Sequence, residues 1–272
     1  MHGSKVWFVT GASSGFGQIW TRAALDRGDR VFATARNPQV LADLGEQYGD
    51  AVAAAALDVT DREGVFRVVS EARDRFGRLD VILSNAGYSY SGAVEELDFD
   101  EAKANFETNV FGTLSVVQAA VPILREQSRG HILTLSSIGG LVGFPTGGSY
   151  IATKFAIEAI SEALAGEVSG FGIKVTTIEP GSYSTGFRSS TKIAEQMPEY
   201  DPIRQAVAAG FKPENTGDAQ ATAAAVLRVV DSDTPPLRLI LGDWPLEVIK
   251  ERYVNRVALW ESWSEVSKAA QR

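Results

Sequence analysis

The chain of 272 residues contains no cysteine. That excludes disulfides, thiolate catalysis and cysteine-bound zinc, and it leaves the redox compartment unmarked. Histidine is nearly absent too, with only His2 and His131, and no metal centre is expected. Positive charge is in deficit, 26 Lys and Arg against 34 Asp and Glu, for a net charge of −8. A nucleic-acid partner is therefore not expected, because phosphate backbones are held by clustered cations. Long apolar runs are also missing. The early VWFV is too short for a signal-peptide core, and AVAAAAL at 51–57 falls well short of a membrane span. These absences lead to the expectation of a soluble cytoplasmic protein without a membrane partner.

With 44% hydrophobic residues and no repeat, low-complexity tract or linker, the chain has material for one large core. Short β-branched or apolar runs at 6–10, 30–35, 51–57, 79–85, 130–137, 173–180 and 237–241 read as strands. Helical patterns lie between them, near 16–28, 39–48, 61–76, 99–127, 150–169 and 217–231. Such alternation predicts an α/β fold with about seven parallel strands in a doubly wound sheet and helices on both faces. The near-continuous apolar strands suit a sheet buried on both sides. Residues 1–272 are expected to form one domain. Residues 181–216 have no clean period and are expected to form a substrate lid. A helical extension is expected over 243–272, capped near Asp243, with Leu246, Ile249, Tyr253, Val257, Trp260 and Trp263 on one packing stripe.

The first strand runs into TGASSGFG, with Gly11, Gly15 and Gly17 ahead of a helix. Glycines there let backbone approach a pyrophosphate at the positive end of the helix. Ser13, Ser14 and Phe16 belong to the same turn. An acid that would hold an adenosine ribose is expected about 20 residues further on. Here the second strand ends in Ala35 followed by Arg36. A guanidinium suits a 2′-phosphate, so NADPH/NADP+ is favoured over NADH. Asp58, in LDVTD, is a candidate for the adenine amino group; alternatively Asp58, Thr60 or Asp61 caps the next helix.

Tyr150 and Lys154 stand four residues apart, on one face of a helix, with Ser137 upstream at the end of the fifth strand. A free phenol titrates near 10, and a nearby ammonium can lower that by about 1–3 units. Tyr150 is thus a candidate acid/base, with Lys154 lowering its pKa and binding ribose, and Ser137 polarising a substrate oxygen. His131, at a strand start, reads as structural. Aromatic residues after the strand ends or in the lid, Tyr88, Tyr90, Phe144, Tyr183 and Phe187, with Met197, are candidates for an apolar substrate pocket.

TGASSGFG, LDVTD, SNAG, TNVFG, the Ser137 segment, YIATK and EPG together resemble the compact branch of the short-chain dehydrogenases/reductases, over about residues 5–181. ATARNP and SSIGGLVGFP look most like its hydroxysteroid-, retinol- and carbonyl-reducing members. The resemblance implies a single-domain Rossmann-type fold and reversible hydride transfer between nicotinamide and a small-molecule carbonyl or alcohol. It adds Val59, Asn85, Ala86, Gly87, Pro180, Gly181 and Thr185 to the cofactor residues, and Asn109 as the holder of a water that connects Lys154 to solvent. It also implies a homodimer or homotetramer built on the helices near 99–127 and 150–169. Departures are Ser84 in place of the usual first Asn, Thr153 before the lysine, and the bulky Trp20. A cofactor-binding sensor without catalysis, and an isomerase or lyase using the same Tyr–Lys pair, are the alternatives.

Overall fold

In the computed structural model, which describes residues 3–187 and 189–271, seven strands form one parallel sheet. They are β1 (Val6–Val9), β2 (Arg30–Ala35), β3 (Val52–Ala56), β4 (Val81–Ser84), β5 (Gly130–Leu135), β6 (Ile173–Pro180) and β7 (Arg238–Leu241). Their spatial order is β3-β2-β1-β4-β5-β6-β7, so chain order reverses between β1 and β4. Ligands of open α/β sheets bind at that reversal, beyond the carboxyl ends of the strands.

Side chains that alternate along each strand feed two cores. In β1, Val6 and Phe8 join Phe32, Val65, Val116 and Ile132 on one face. Trp7 and Val9 join Trp20, Leu44, Leu83 and Val226 on the other. The first face is covered by α3 (Arg62–Phe76), α5 (Gly112–Gln127) and α6 (Gly148–Val168); the second by α1 (Gly15–Asp26), α2 (Ala42–Tyr48) and α8 (Thr222–Asp231). Burial on both faces holds for the central strands only. In the edge strand β3 only Val52 is buried, while Ala53 and Ala55 are half-buried and Ala54 and Ala56 exposed.

Trp20 is fully buried, and its indole N–H donates to Thr222 Oγ1 at 2.8 Å, fastening α1 to α8. A bulky residue fits there because it fills the seam between two helices. The expected helix over 99–127 is broken into α4 (Phe99–Phe106), a π-helical turn (Glu107–Phe111) and α5. Such turns are rare and concentrate at functional sites; this one carries Asn109.

The segment 181–216, where a lid is expected, contains α7 (Asp201–Gly210) and closes on itself at its base, where Tyr183 bridges Gly217. It crosses the cleft to form a two-residue parallel strand pair, Lys192–Ile193 with Tyr90–Ser91. The buried Glu96 carboxylate accepts from Met197 N at 2.8 Å and from Arg204 Nη1 at 2.5 Å, and Lys192 reaches Glu101 at 2.6 Å.

The tail forms α9 (Asp243–Ser262) and α10 (Ser264–Ala269), with Gly242 rather than Asp243 in the N-cap position. Packing of the whole apolar stripe, expected from its spacing, does not occur. Of that stripe only Ile249 is buried, beside Pro245; Leu246, Tyr253 and Val257 are exposed, and Trp260 and Trp263 are 62% and 60% exposed. Among the described residues no helix is long and apolar enough to cross a membrane.

Candidate active site

At the reversal between β1 and β4 lies a cleft of about 840 Å³. Its near wall is the turn from β1 into α1. Gly11 and Gly15 have φ of +67° and +53°, a region that favours glycine. A Cβ on Gly17 would collide with the Gly11 carbonyl oxygen. Ser14 occupies the N-cap of α1 without a side-chain capping bond, and the first turn carries no acid. The uncapped amides and the positive helix end therefore suit the pyrophosphate of a dinucleotide.

Asn85 braces this turn. Its Nδ2 donates to the carbonyls of Thr10 and Gly11, each at 3.0 Å, and its backbone N–H donates to Thr10 Oγ1 at 3.0 Å. Both amide protons are thus spent on the protein. Gly11, Ser13, Ser14, Gly15, Phe16, Arg36, Asp58, Val59, Asn85, Ala86, Gly87, Pro180, Gly181 and Thr185 all line the cleft, and Gly17 sits behind it. Arg36 is exposed and makes no hydrogen bond or ion pair with any described residue, while the adjoining Ala35 offers no carboxylate. Of the two alternatives for the LDVTD segment, the helix cap falls to Asp61 and not to Asp58. Asp58 lines the cleft, and its Oδ1 accepts from Thr60 N at 3.0 Å and Thr60 Oγ1 at 2.7 Å.

Ser137, Tyr150 and Lys154 meet in the same cleft. Ser137 caps the short turn after β5, its Oγ accepting from Gly139 N at 3.1 Å. Lys154 Nζ lies 5.5 Å from the Tyr150 ring centroid and donates to the Leu135 carbonyl at 2.6 Å. Their electrostatics differ from the spacing argument. Burial pushes the Tyr150 phenol up to about 12, opposed by a hydrogen bond from Ser137. Burial also pulls Lys154 down to about 8, opposed by the Glu158 charge. Both groups have lost their water, and that loss outweighs their attraction in the chain alone. The aromatic ring of Phe187 lies 5.6 Å from that of Tyr150 and closes one side.

Asn109 is buried behind the cleft. Its Nδ2 donates to the Tyr88 carbonyl at 2.9 Å and to Thr153 Oγ1 at 3.0 Å, while its Oδ1 accepts from Tyr88 N at 3.0 Å. Neither amide proton is left for a water, and in this geometry Asn109 pins Tyr88. The expected pocket aromatics divide. Tyr88, Tyr183 and Phe187 line the cleft. Tyr90 does not: it is 2% exposed, and its hydroxyl accepts from Asp98 N at 2.8 Å. Phe144 lines a neighbouring pocket of about 310 Å³ with Ile138, Phe211 and Trp244, which meets the cleft along Gly181 and Ser182. Met197 lies outside both pockets and holds Arg204 through its carbonyl at 2.5 Å.

His131 is structural, as expected. Its Nε2 pairs with Thr176 Oγ1 at 2.9 Å, and burial, reinforced by Lys174 and Lys5, pulls its pKa down to about 3. Sequence reasoning missed Lys192, Phe211 and Trp244. No local pattern marks them, since each reaches its pocket through a long-range contact of the lid or tail.

The model for short chain dehydrogenases matches residues 5–196. Oxidoreductase BOA17 of Botryotinia fuckeliana is 38% identical, over 98% of this chain and 99% of its own length. The 3-ketodihydrosphingosine reductase of Bacteroides thetaiotaomicron is 36% identical, over 88% of each. Among solved structures, a short-chain dehydrogenase from Streptomyces avermitilis superposes with a TM-score of 0.91 at 38% identity, covering 99% of both chains. An alcohol dehydrogenase from the archaeon Thermococcus sibiricus, complexed with 5-hydroxy-NADP, gives 0.75 at 26% identity, over 88% of this chain and 97% of its own. With glycine turn, cleft and near-full-length relatives in agreement, the chain belongs to the short-chain dehydrogenase family.

Proposed function

We propose that this protein is an NADP(H)-dependent oxidoreductase that reversibly reduces a bulky or hydrophobic ketone or aldehyde to its alcohol. The observation that carries this reading is the convergence of Ser137, Tyr150 and Lys154 in the cleft that also holds the glycine turn and Arg36. The bound nicotinamide would supply or accept the hydride. The turn from Gly11 to Phe16 would hold its pyrophosphate, Arg36 the 2′-phosphate and Lys154 a ribose. Tyr150 would give its proton to the carbonyl oxygen, and Ser137 would orient that oxygen by a hydrogen bond. A phenol lifted to about 12 by burial stays protonated across neutral pH, which suits a proton donor in the reducing direction. NADP in the Thermococcus sibiricus enzyme supports the phosphorylated cofactor, and the ketone named in the Bacteroides thetaiotaomicron relative supports a carbonyl substrate. Tyr88, Tyr183 and Phe187 give the cleft aromatic walls that suit an apolar substrate.

Self-association belongs to the same proposal. The exposed Phe111 and Phe155 supply apolar surface on the helices where a homodimer or homotetramer would form. The activity is tested by following NADPH and NADH oxidation against a panel of bulky ketones and aldehydes, with Tyr150→Phe as control. Loss of the proton donor should cost roughly 10²–10⁴-fold in turnover with NADPH affinity kept. Near-full activity in that variant would remove Tyr150 as the acid.

A further inference from the structure

A charge cluster lies beneath the cleft that the proposed chemistry leaves unused. Glu158 stands one helical turn beyond Lys154 on α6, Glu179 lies near the end of β6, and Arg238 opens β7. The Glu158 and Glu179 side chains are 6% and 0% exposed. Arg238 Nε is 3.0 Å from Glu158 Oε2 and 3.5 Å from Glu179 Oε1, while its Nη2 is drawn 2.6 Å from the exposed Glu162. Among the described residues, Glu158 Oε1 and both oxygens of Glu179 find no hydrogen-bond donor, and Ser136 Oγ has no hydrogen-bond partner. A Cβ on Gly140 would collide with Ser136 Oγ and come 3.1 Å from Glu158 Oε1, so the glycine keeps these two side chains adjacent.

Two ionised carboxylates accept but cannot donate, so a buried pair of them leaves oxygens unsatisfied and repelling. One proton resolves both problems: a protonated Glu179 donates to Glu158, and a single negative charge remains. That charge then lies between two cations, Arg238 on β7 and Lys154 on α6. Among the described residues, Lys154 itself has only the neutral Leu135 carbonyl as its hydrogen-bond acceptor. We propose that Glu158 and Glu179 form a buried acid pair sharing one proton, and that the charge left on Glu158 is the internal counter-ion that keeps Lys154 an ammonium. Burial, then the Glu158 charge, pushes the Glu179 carboxyl up to about 8 against the pull of Arg238. Glu158 is likewise the group that opposes the fall of Lys154. The groups facing the pair are Lys154 and Glu162 on α6, Arg238 on β7, and the Ser136 hydroxyl after β5. Glu158 and Glu179 are thus positioning residues that act through Lys154, and for turnover the inference rests on the reductase reading.

The proton is read directly by infrared spectroscopy of the whole protein. A carboxylic-acid C=O band is expected at pH 7 in wild type and absent in Glu179→Gln; no such band, or one that survives this substitution, overturns the shared proton. The charge is read from pH profiles of kcat/KM and of NADPH affinity. Glu179→Gln supplies a neutral donor in the same place and should leave the high-pH limb where it is. Glu158→Gln removes the counter-charge and should move that limb to lower pH by about one unit or more, with Glu158→Asp restoring most of it. A limb unmoved in Glu158→Gln, or moved equally by Glu179→Gln, refutes the counter-ion role. If no carbonyl is turned over by wild type, the reductase reading fails, while the infrared band and the affinity profile still decide the acid pair.

Discussion

Replacing Arg36 by Ala tests cofactor choice where the structure makes a numerical statement. Arg36 lines the cleft, exposed and with its guanidinium unbonded among the described residues, and Ala35 beside it carries no acid. A hydrogen bond to a charged group contributes about 1.5–3 kcal/mol, which corresponds to roughly 10- to 150-fold in Kd at 1.4 kcal/mol per decade. Two features moderate this. Arg36 is exposed, so solvent and salt screen it. Lys192 lines the same cleft, close enough for the two positive charges to repel, and keeps some attraction for an anion after Arg36 is lost. The expected loss for NADPH is therefore about 10- to 30-fold at moderate salt. NADH lacks the 2′-phosphate, and its Kd should stay within about twofold. The assay is an equilibrium titration of nicotinamide fluorescence with each cofactor at two salt concentrations, which needs no substrate. Equal weakening of both cofactors would mean that Arg36 supports the fold of the turn and not the phosphate. No weakening of either would remove it from the site.

Ser137→Ala removes the hydroxyl that favours the Tyr150 phenolate and that we propose orients the carbonyl; turnover should drop roughly 10²–10³-fold while NADPH affinity holds, and a drop in affinity alone would contradict the proposed role. Gly17→Ala drives a methyl group into the Gly11 carbonyl, so a loss of about 1–3 kcal/mol is expected in a denaturant melt, together with weaker NADPH binding; an unchanged melt would refute the close approach. His131 bears on acid stability. Burial holds its folded pKa at about 3, below the ordinary imidazole value of 6.5, so the unfolded chain binds a proton that the native state refuses between those values. Stability should fall as pH drops from about 6.5 toward 3, and His131→Gln should flatten that fall; parallel pH–stability curves for the two proteins would show that another group carries it.

Residue order alone specifies the alternation of strands and helices, the glycine turn, and the spacing that sets Tyr150 and Lys154 on one face of α6. These are local properties: a period of two or of 3.6 residues, a backbone that favours glycine, a four-residue helical repeat. The tertiary structure decided what depends on neighbours distant in the chain. It turned Tyr90 inward to Asp98 while Tyr88 faces the cleft, gave both amide protons of Asn109 to Tyr88 and Thr153, and left the outer turns of α9 uncovered although their stripe continues. It also reversed the balance at Tyr150. Spacing brings an ammonium near the phenol, but how far each has lost water follows from the enclosing β5, α6 and Phe187, and in the chain alone that loss is the larger effect. Residue order fixes which groups can meet; packing decides which of them do, and in what protonation state.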